Sequence, residues 1–373
     1  MTLKSGIIGI WIIATGILIA MLYLGRSILG PLALAVFLFL VIEGFAREID
    51  ERSSKVHRGA SRVAAILLVL SGFTGFIVLL GRGVAQFGEQ ASDYEEKINN
   101  LIGDVYGVVQ LGRDQAPKLS ELLFDDTGQR FIATIANATG DLMGDLVVIL
   151  IYVAFLFVAQ SSWPDKLDRI FPASAAREQA RAVSKAARRG IETYLWTQTV
   201  ISAIITVLTY FTLLMLGVEN AMFLAALIFV LNYIPTIGSI VAAFVPPLFA
   251  LVQPEVADWI PGGPPNDSYI FAGLVLAGVS FWQFTIGNFL QPRLMGESLN
   301  LSALVVLISL AVWGAIWGIP GMFLSAPLTV LMMILFAQGR ATYWIAVLLS
   351  ANGDPAGQGL AHQDDAELTS ADT

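Results

Sequence analysis

The chain alternates long apolar blocks with short charged ones, a pattern set by membrane crossings more than by the period of a single amphipathic helix. Ser5–Gly25 contains no charged residue, and about 20 apolar residues suffice to cross a bilayer. It lacks the small-residue cleavage pattern of a signal peptide, so it reads as a first span. Arg26 and Ser27 make a short turn, and Ile28–Ile42, with Pro31 near its start, returns as a second. Val63–Gly81, Leu142–Gln160, Leu195–Gly217 and Tyr269–Leu290 read as four more. The pattern predicts an all-α polytopic membrane protein with about six full spans.

Two further apolar tracts, Ala221–Gln253 and Ala303–Gln338, are too long for one crossing and too short for two with a loop. Pro and Gly break each near its middle, at Asn232-Tyr-Ile-Pro-Thr-Ile-Gly-Ser239 and at Trp313-Gly-Ala-Ile-Trp-Gly-Ile-Pro-Gly321. Basic residues set the orientation. Segment 43–62 carries Arg47, Arg52, Lys55, Arg58 and Arg62, and segment 163–189 carries seven basic residues against three acids. The positive-inside rule places both in the cytoplasm, together with the N-terminus. Counting crossings from there, each broken tract enters and leaves by one face, giving two re-entrant hairpins of opposite orientation. Gly238 with Pro247-Leu-Phe-Ala-Leu251 and Gly318 with Pro327-Leu-Thr-Val-Leu331 superpose at an offset of 80, which also carries 195–217 onto 269–290 to within a few residues. A span plus hairpin repeated with inverted topology is a transporter layout. The alternative is two ordinary spans per tract, kinked by proline.

Between the third and fourth spans, Val84, Phe87, Ala91, Tyr94, Ile98, Leu101, Val105 and Val108 recur at steps of three and four. This is a heptad seam on a helix of about 25 residues. Pro117 interrupts it, and Phe131, Ile135, Ala138 and Leu142 line a second amphipathic helix. Together they predict an external helical hairpin, able to pair with itself or with a neighbouring subunit. In the basic segment, Ala176, Ala180, Val183, Ala187, Ile191 and Tyr194 form an apolar stripe beside Arg177, Arg181, Lys185 and Arg188. That pattern predicts a helix lying on the membrane surface, attracted to anionic lipid, before the next span.

Composition narrows the chemistry. The 373 residues are 56% hydrophobic and 13% charged, with a mean hydropathy of +0.73, too apolar for a solvated surface. There is no cysteine, and the two histidines, His57 and His362, lie far apart. No catalytic group, metal site or cofactor is expected, and no phosphate loop marks a fused ATPase. Of the net charge of −8, five acids lie in the last twenty residues, which contain no Lys or Arg, so the remainder carries only −3. That tail reads as disordered. From Tyr194 to Ser350 only seven residues are charged. A solute path there would be lined by Gln198, Thr199, Ser202, Thr206, Asn232, Tyr233, Thr236, Ser239, Gln283, Thr285, Asn288, Gln291 and Ser325. Such a lining suits a small neutral polyol-like solute, or a cation held by carbonyls at broken helix ends. Asp145, four residues after Asp141, is a candidate coupling carboxylate, against simple solvation at a span end. Arg293 is a candidate ion-pair partner of Glu297, against simple snorkelling.

The motifs Ile191-x-x-Tyr194-x-x-x-Gln198, Asn232-Tyr-Ile-Pro-Thr-Ile-Gly238 with Pro246-Pro247-Leu248, Asn288-Phe-Leu-Gln-Pro292 and Trp317-Gly-Ile-Pro-Gly-Met-Phe-Leu-Ser-Ala-Pro-Leu328 resemble the autoinducer-2 exporter family of PerM-like permeases. The resemblance covers essentially the whole chain and implies a bacterial inner-membrane, gradient-driven exporter that assembles as a homo-oligomer, a pentamer among the candidates. Some relatives export autoinducer-2, a quorum-sensing signal, and others look like sodium/proton antiporters. Thr197 stands where relatives commonly have glycine, and Ser239 where a second proline is common; both departures bear on the substrate.

The expected organisation is spans one to three (1–82), the external segment (83–141), span four with the basic helix (142–193), an inverted-repeat transport region (194–350) and an acidic tail (351–373). The expected path and hairpin tips comprise Gln198, Asn232, Tyr233, Pro235, Thr236, Gly238, Ser239, Asn288, Gln291, Pro292, Gly314, Gly318, Pro320, Gly321, Ser325 and Pro327. Expected partners are membrane lipid, a small polar solute, and sodium or protons, with no nucleic acid. The competing function is a membrane scaffold or sensor acting through the external helices without transport. A passive channel is a third reading.

Overall fold

A computed structural model describes residues 2–52, 58–89, 91–108, 118, 144–171, 173–253, 255–256, 259, 266–295 and 300–355. Among these residues the secondary structure is helical, and β-pairing is confined to one isolated bridge, Leu301 to Ser350. In hydrocarbon a helix satisfies its own backbone, which an open strand does not. The helices are α1 (Thr2–Leu24), α2 (Arg26–Arg52), α3 (Arg58–Glu89), α4 (Ala91–Val108) and α5 (Gly144–Ile170, through a 3₁₀ turn at Gln160–Ser162). They continue with α6 (Ser174–Leu216), α7 (Ala221–Leu231), α8 (Ile237–Val252), α9 (Asn266–Thr285), α10 (Ala303–Trp317), α11 (Ile319–Ala337) and α12 (Tyr343–Leu349).

Six helices among the described residues are long and apolar enough to cross a membrane: Arg26–Asp50, Ala60–Gly83, Gly144–Ile170, Ser174–Leu216, Ser268–Met295 and Ile319–Ala337. Several boundaries differ from the sequence expectation. Gly25 alone separates α1 from α2, and Arg26 already opens α2, so the turn lies one residue earlier than expected. Charge does not end the helix either: α2 runs on through Glu43 to Arg52. Nor is there a turn between the basic segment and the next span. α6 is one helix of 43 residues, about 65 Å long at 1.5 Å per residue, roughly twice the hydrocarbon thickness. The second half of the external hairpin lies outside the described residues, as do Asp141 and Glu297.

By internal contact the chain divides into two units. The first comprises Met1–Ile66, Leu146–Thr197 and Met295–Thr373. Here the apolar stripe of α6 meets protein: Ala187, with Val183 beside it, packs on Val330 and Ile334 of α11. The stripe was expected to lie on lipid. Its small residues instead let two helices approach closely, the usual basis of helix packing in membranes. Phe37 of α2 meets Phe323 of α11 edge-on at 6.3 Å, and Phe45 meets Trp196 of α6 at 4.5 Å. The second unit comprises Leu67–Asp145 and Gln198–Leu294. In it Tyr94, from the middle of the expected heptad seam, is buried against Phe249 of α8, and its hydroxyl donates to Glu219 at 2.9 Å. Gln253, also buried, accepts from the Glu219 backbone N–H at 3.1 Å and so fixes the α6–α7 turn.

Both broken tracts are helix pairs, α7 with α8 and α10 with α11, and the members of each pair pack on each other. Their arms are unequal: α7 has 11 residues, α8 has 16, α10 has 15, and α11 has 19. That makes α11 long enough to cross alone. The two breaks share a device. A Cβ on Gly238 would overlap the carbonyl oxygen of Leu231 and press on Cβ of Ile234; a Cβ on Gly321 would overlap that of Trp313 and press on Cβ of Trp317. Each glycine sits in the first turn of the second arm against the last turn of the first. The counterpart of Gly238 is therefore Gly321, not Gly318, and the offset at the break is 83 residues.

Gly238→Ala and Gly321→Ala should each destabilise by about 1–3 kcal/mol through overpacking against backbone. Gly75→Ala, on α3 with open space around it, should be neutral or stabilise by about 0.5–1 kcal/mol. Unfolding of the detergent-solubilised protein measures the difference; equal effects at all three sites would contradict the shared device.

Candidate functional site

In the second unit, five of the predicted path residues, Gln198, Thr199, Asn232, Tyr233 and Gln283, come together at the first break. Gln198 of α6 donates from Nε2 to the backbone carbonyl of Asn232 at 2.6 Å, and the Tyr233 hydroxyl donates to Thr199 Oγ1 at 2.7 Å. From α9, Gln283 Nε2 approaches Asn232 Oδ1 at 3.4 Å. Gln198, Asn232 and Tyr233 are all buried. The break exposes backbone that α7 no longer satisfies, and side chains from neighbouring helices supply the missing hydrogen bonds.

The turn itself is strained. Thr236 has φ 62° and ψ −58°, with the Ile237 N–H donating to the Pro235 carbonyl at 2.6 Å. This is the positive-φ γ-turn, which is rare and costly, all the more for a β-branched residue. Ser239 Oγ and the Ile240 N–H donate to the Thr236 carbonyl at 2.9 and 3.3 Å, tying the turn to the start of α8. Pro246 and Pro247 inside α8 lack the N–H groups that would have bonded one turn back, leaving that stretch of backbone open.

On α9, a π-helical segment over Ile286–Leu290 precedes Gln291–Met295. Pro292 explains it: a proline clashes with the carbonyl four residues back, here Asn288, and widening the helix relieves the clash. Asn288 is exposed and donates to Phe284 of its own helix at 2.9 Å, while Gln291 is half-buried and Pro292 exposed. Arg293 is exposed, and Asp145 is half-buried near the start of α5.

The first unit holds the second break. Gly314 and Gly318 end α10, Pro320 and Gly321 begin α11, and Ser325 and Pro327 are buried within it. Gly318 has φ 67° and ψ −138°, a region open only to glycine. Pro320, in the first turn, gives up no hydrogen bond. Ser325 Oγ donates to Met322 of its own helix at 2.9 Å. Trp317 Nε1 donates to the Leu22 carbonyl of α1 at 3.2 Å.

The first unit also contains a charged cluster absent from the sequence reading. Glu43 of α2 and Glu192 of α6 are both buried. Arg188 bridges them, at 2.8 Å to Glu43 and 2.5 Å to Glu192. Arg47 reaches Glu192 at 2.7 Å, Arg62 of α3 reaches Glu43 at 2.9 Å, and Gln160 of α5 approaches Glu43 at 3.4 Å. Four helices are thus tied by two carboxylates and three guanidinium groups. The available signal was an acid at the edge of each apolar run, Glu43 after Ile42 and Glu192 after Ile191, since a carboxylate at a buried edge needs a partner.

With this geometry in place, comparison with known proteins decides the family. The sequence matches the AI-2E family transporter over residues 10–341. The chain belongs to this family. It is 28% identical over 330 residues to the AI-2 transport protein TqsA of Escherichia coli (strain K12), covering 87% of this chain and 90% of that protein. It is 25% identical over 348 residues to a putative transport protein of Haemophilus influenzae, covering 91% and 94%. It is 24% identical over 340 residues to the putative transport protein YhhT of E. coli (strain K12), covering 89% and 91%. The AI-2E family is one of membrane transporters, not enzymes. In this member the described residues are helical, and six of the helices are long and apolar enough to cross a membrane.

Two substitutions test the arrangement. Gln198→Ala leaves the buried Asn232 carbonyl without its donor and should cost about 1–3 kcal/mol. Glu192→Ala strands Arg47 and leaves Arg188 with Glu43 alone. Breaking a buried pair costs about 3–5 kcal/mol, but these guanidinium groups are 45% and 37% exposed, so water should reduce the loss to about 1–2 kcal/mol. Asp168→Ala, which frees the more exposed Arg181, should cost under about 1 kcal/mol. Parallel denaturation curves give the ranking, and an Asp168 effect equal to that of Glu192 would count against the cluster's role in holding the four helices.

Proposed function

We propose that this AI-2E family member is a secondary transporter that exports a small, neutral, hydrogen-bonding solute of the autoinducer-2 kind, driven by a gradient. The observation that carries the reading is the uncharged polar cluster around a helix break, with Gln198, Asn232 and Tyr233 buried and Thr199 and Gln283 half-buried beside them. Neutral donors and acceptors at a broken helix can hold hydroxyl and carbonyl groups without the cost of ionised side chains in hydrocarbon. The name of the relative TqsA supports autoinducer-2 as the first solute to test.

The protein lies in the bacterial inner membrane with both termini in the cytoplasm, by the positive-inside rule, and assembles as a homo-oligomer. The two broken tracts are re-entrant hairpins of opposite orientation, with tips at Pro235–Ser239 and Gly314–Gly321. The common glycine device at Gly238 and Gly321 supports their equivalence. Asn288, Gln291 and Pro292 mark a flexing point on α9, because a π-segment stores an easily rearranged hydrogen-bond register. Coupling is by sodium or proton antiport. Asp145 is the candidate coupling carboxylate.

Proteoliposome flux is the test. Export of autoinducer-2 or a related polyol should rise with an imposed sodium or proton gradient and fall at least tenfold in Gln198→Leu. Gradient-independent conductance at a high rate would instead make the protein a channel, and absence of flux for every polyol tried would remove the reading. Cysteines placed singly at Thr236 and Ile319 in this cysteine-free chain should change in reactivity when the gradient is applied; constant labelling from both sides would exclude moving tips.

A further inference from the structure

In the first unit the end of α5 and the start of α6 form a short antiparallel hairpin. Trp163 Nε1 donates to Ser184 Oγ at 3.2 Å, Arg181 pairs with Asp168 at 2.5 Å, and Arg177 Nε donates to the Phe171 carbonyl at 3.1 Å. One side of this hairpin is already covered. Ala187 packs on Val330 and Ile334 of α11, Val183 and Leu301 pack against the same cluster, and Gln179 Nε2 donates to Gln338 Oε1 at 3.2 Å.

The uncovered surface is basic and apolar. Lys166, Arg169, Lys185 and Arg189 are exposed and form no ion pair among the described residues. Across 163–189 seven basic residues face Asp165, Asp168 and Glu178, an excess of four positive charges. Trp163 and Ile170 stand beside them, 53% and 64% exposed. Trp163, Lys166 and Ile170 follow at steps of three and four, so apolar and basic groups share one helix face. The three ties hold this face in place, so a partner need not order it.

The chain brings an acidic segment to the same place. Ser350 forms a β-bridge with Leu301, and the Ala351 N–H donates to the Asn300 carbonyl at 2.9 Å. Because Leu301 packs against the Ala187 cluster, the chain beyond Ser350 departs beside the α6 turns that carry Lys185 and Arg189. Pro355, the last described residue, is buried. Residues 356–373 contain Asp364, Asp365, Glu367 and Asp372 with no Lys or Arg, and Leu360 and Leu368 flank the first three acids. From Pro355 to Asp364 the chain reaches up to about 30 Å when extended. The eight-residue α5 arm of the hairpin, Trp163–Ile170, is only about 12 Å long.

We propose that residues 360–368 dock on the α5–α6 hairpin of their own chain, with Asp364, Asp365 and Glu367 against the unpaired bases and Leu360 and Leu368 on the exposed apolar residues. Exposed ion pairs are weak one at a time. Several act together here, and attachment to the same chain raises the local concentration of the segment to the order of millimolar. Docking lies wholly within the first unit and does not depend on the transport reading.

The test uses the full-length protein in detergent. A water-soluble carbodiimide joins a carboxylate to a lysine ammonium where the two touch, and mass spectrometry reads which pairs form. Asp364, Asp365 and Glu367 should couple to Lys166 and Lys185 at least about fivefold more than to Lys4 and Lys55, which the positive-inside rule places on the same side of the membrane. The coupled chain should run as a monomer on a denaturing gel. Coupling should fall at least about fivefold in 1 M salt, where the screening length shrinks to about 3 Å. Arg169→Gln with Arg189→Gln should weaken it likewise without lowering the melting temperature, since neither arginine has an ion-pair partner to lose. Equal yields at all four lysines, or yields unchanged by salt and by the double variant, overturn the proposal. A covalent dimer band overturns it in favour of the segment of a neighbouring copy. Coupling should also persist in phosphatidylglycerol-rich vesicles; its loss there, with retention in phosphatidylcholine, makes anionic headgroups the occupant and overturns it.

Discussion

Hydrocarbon does not solvate a peptide group, and nearly every feature of this structure follows from that constraint. Uninterrupted helices meet it internally, which is why α2, α3, α5 and α6 run past the charged residues expected to end them. The two tracts interrupted by Pro and Gly cannot meet it alone. At the first, the Asn232 carbonyl takes its hydrogen bond from Gln198, and at both breaks a glycine in the first turn of the second arm lets two backbones approach. The break is tolerated only because other helices complete it. A break completed from outside is also one that can be re-formed differently, the property a moving gate requires.

Polar and charged groups are sorted between the two units in a way that fits this division. The first unit uses full charges: Glu43 and Glu192, held by Arg47, Arg62 and Arg188, fasten four helices through strong, directional ion pairs. Around the first break the second unit uses neutral groups, whose hydrogen bonds are weaker and more readily exchanged with solute or water.

Much of this was legible in the order of residues. The apolar blocks, the two broken tracts and the position of each break follow from composition and from the conformations Pro and Gly permit. The cluster of Gln198, Asn232 and Tyr233 was foreseeable because polar residues inside an apolar tract need partners. Other features were not legible. The Ala-rich stripe of α6 reads equally as a lipid-facing surface and as a packing face, and only α11 lying against it decides the matter. The offset of 80 came from aligning prolines, whereas the equivalence of Gly238 with Gly321 depends on which carbonyl each glycine touches. The π-segment at Ile286–Leu290 follows from Pro292 but could not be told from a kink.

Sequence alone determined that this is a helical membrane protein with broken tracts whose polar residues are uncharged near the first break, because hydropathy, charge placement and backbone restriction are local properties. The tertiary structure decided which groups find partners: Glu43 and Glu192, 149 positions apart, share Arg188. Satisfaction of a buried polar group depends on what lies across from it in space, and spacing along the chain does not encode that.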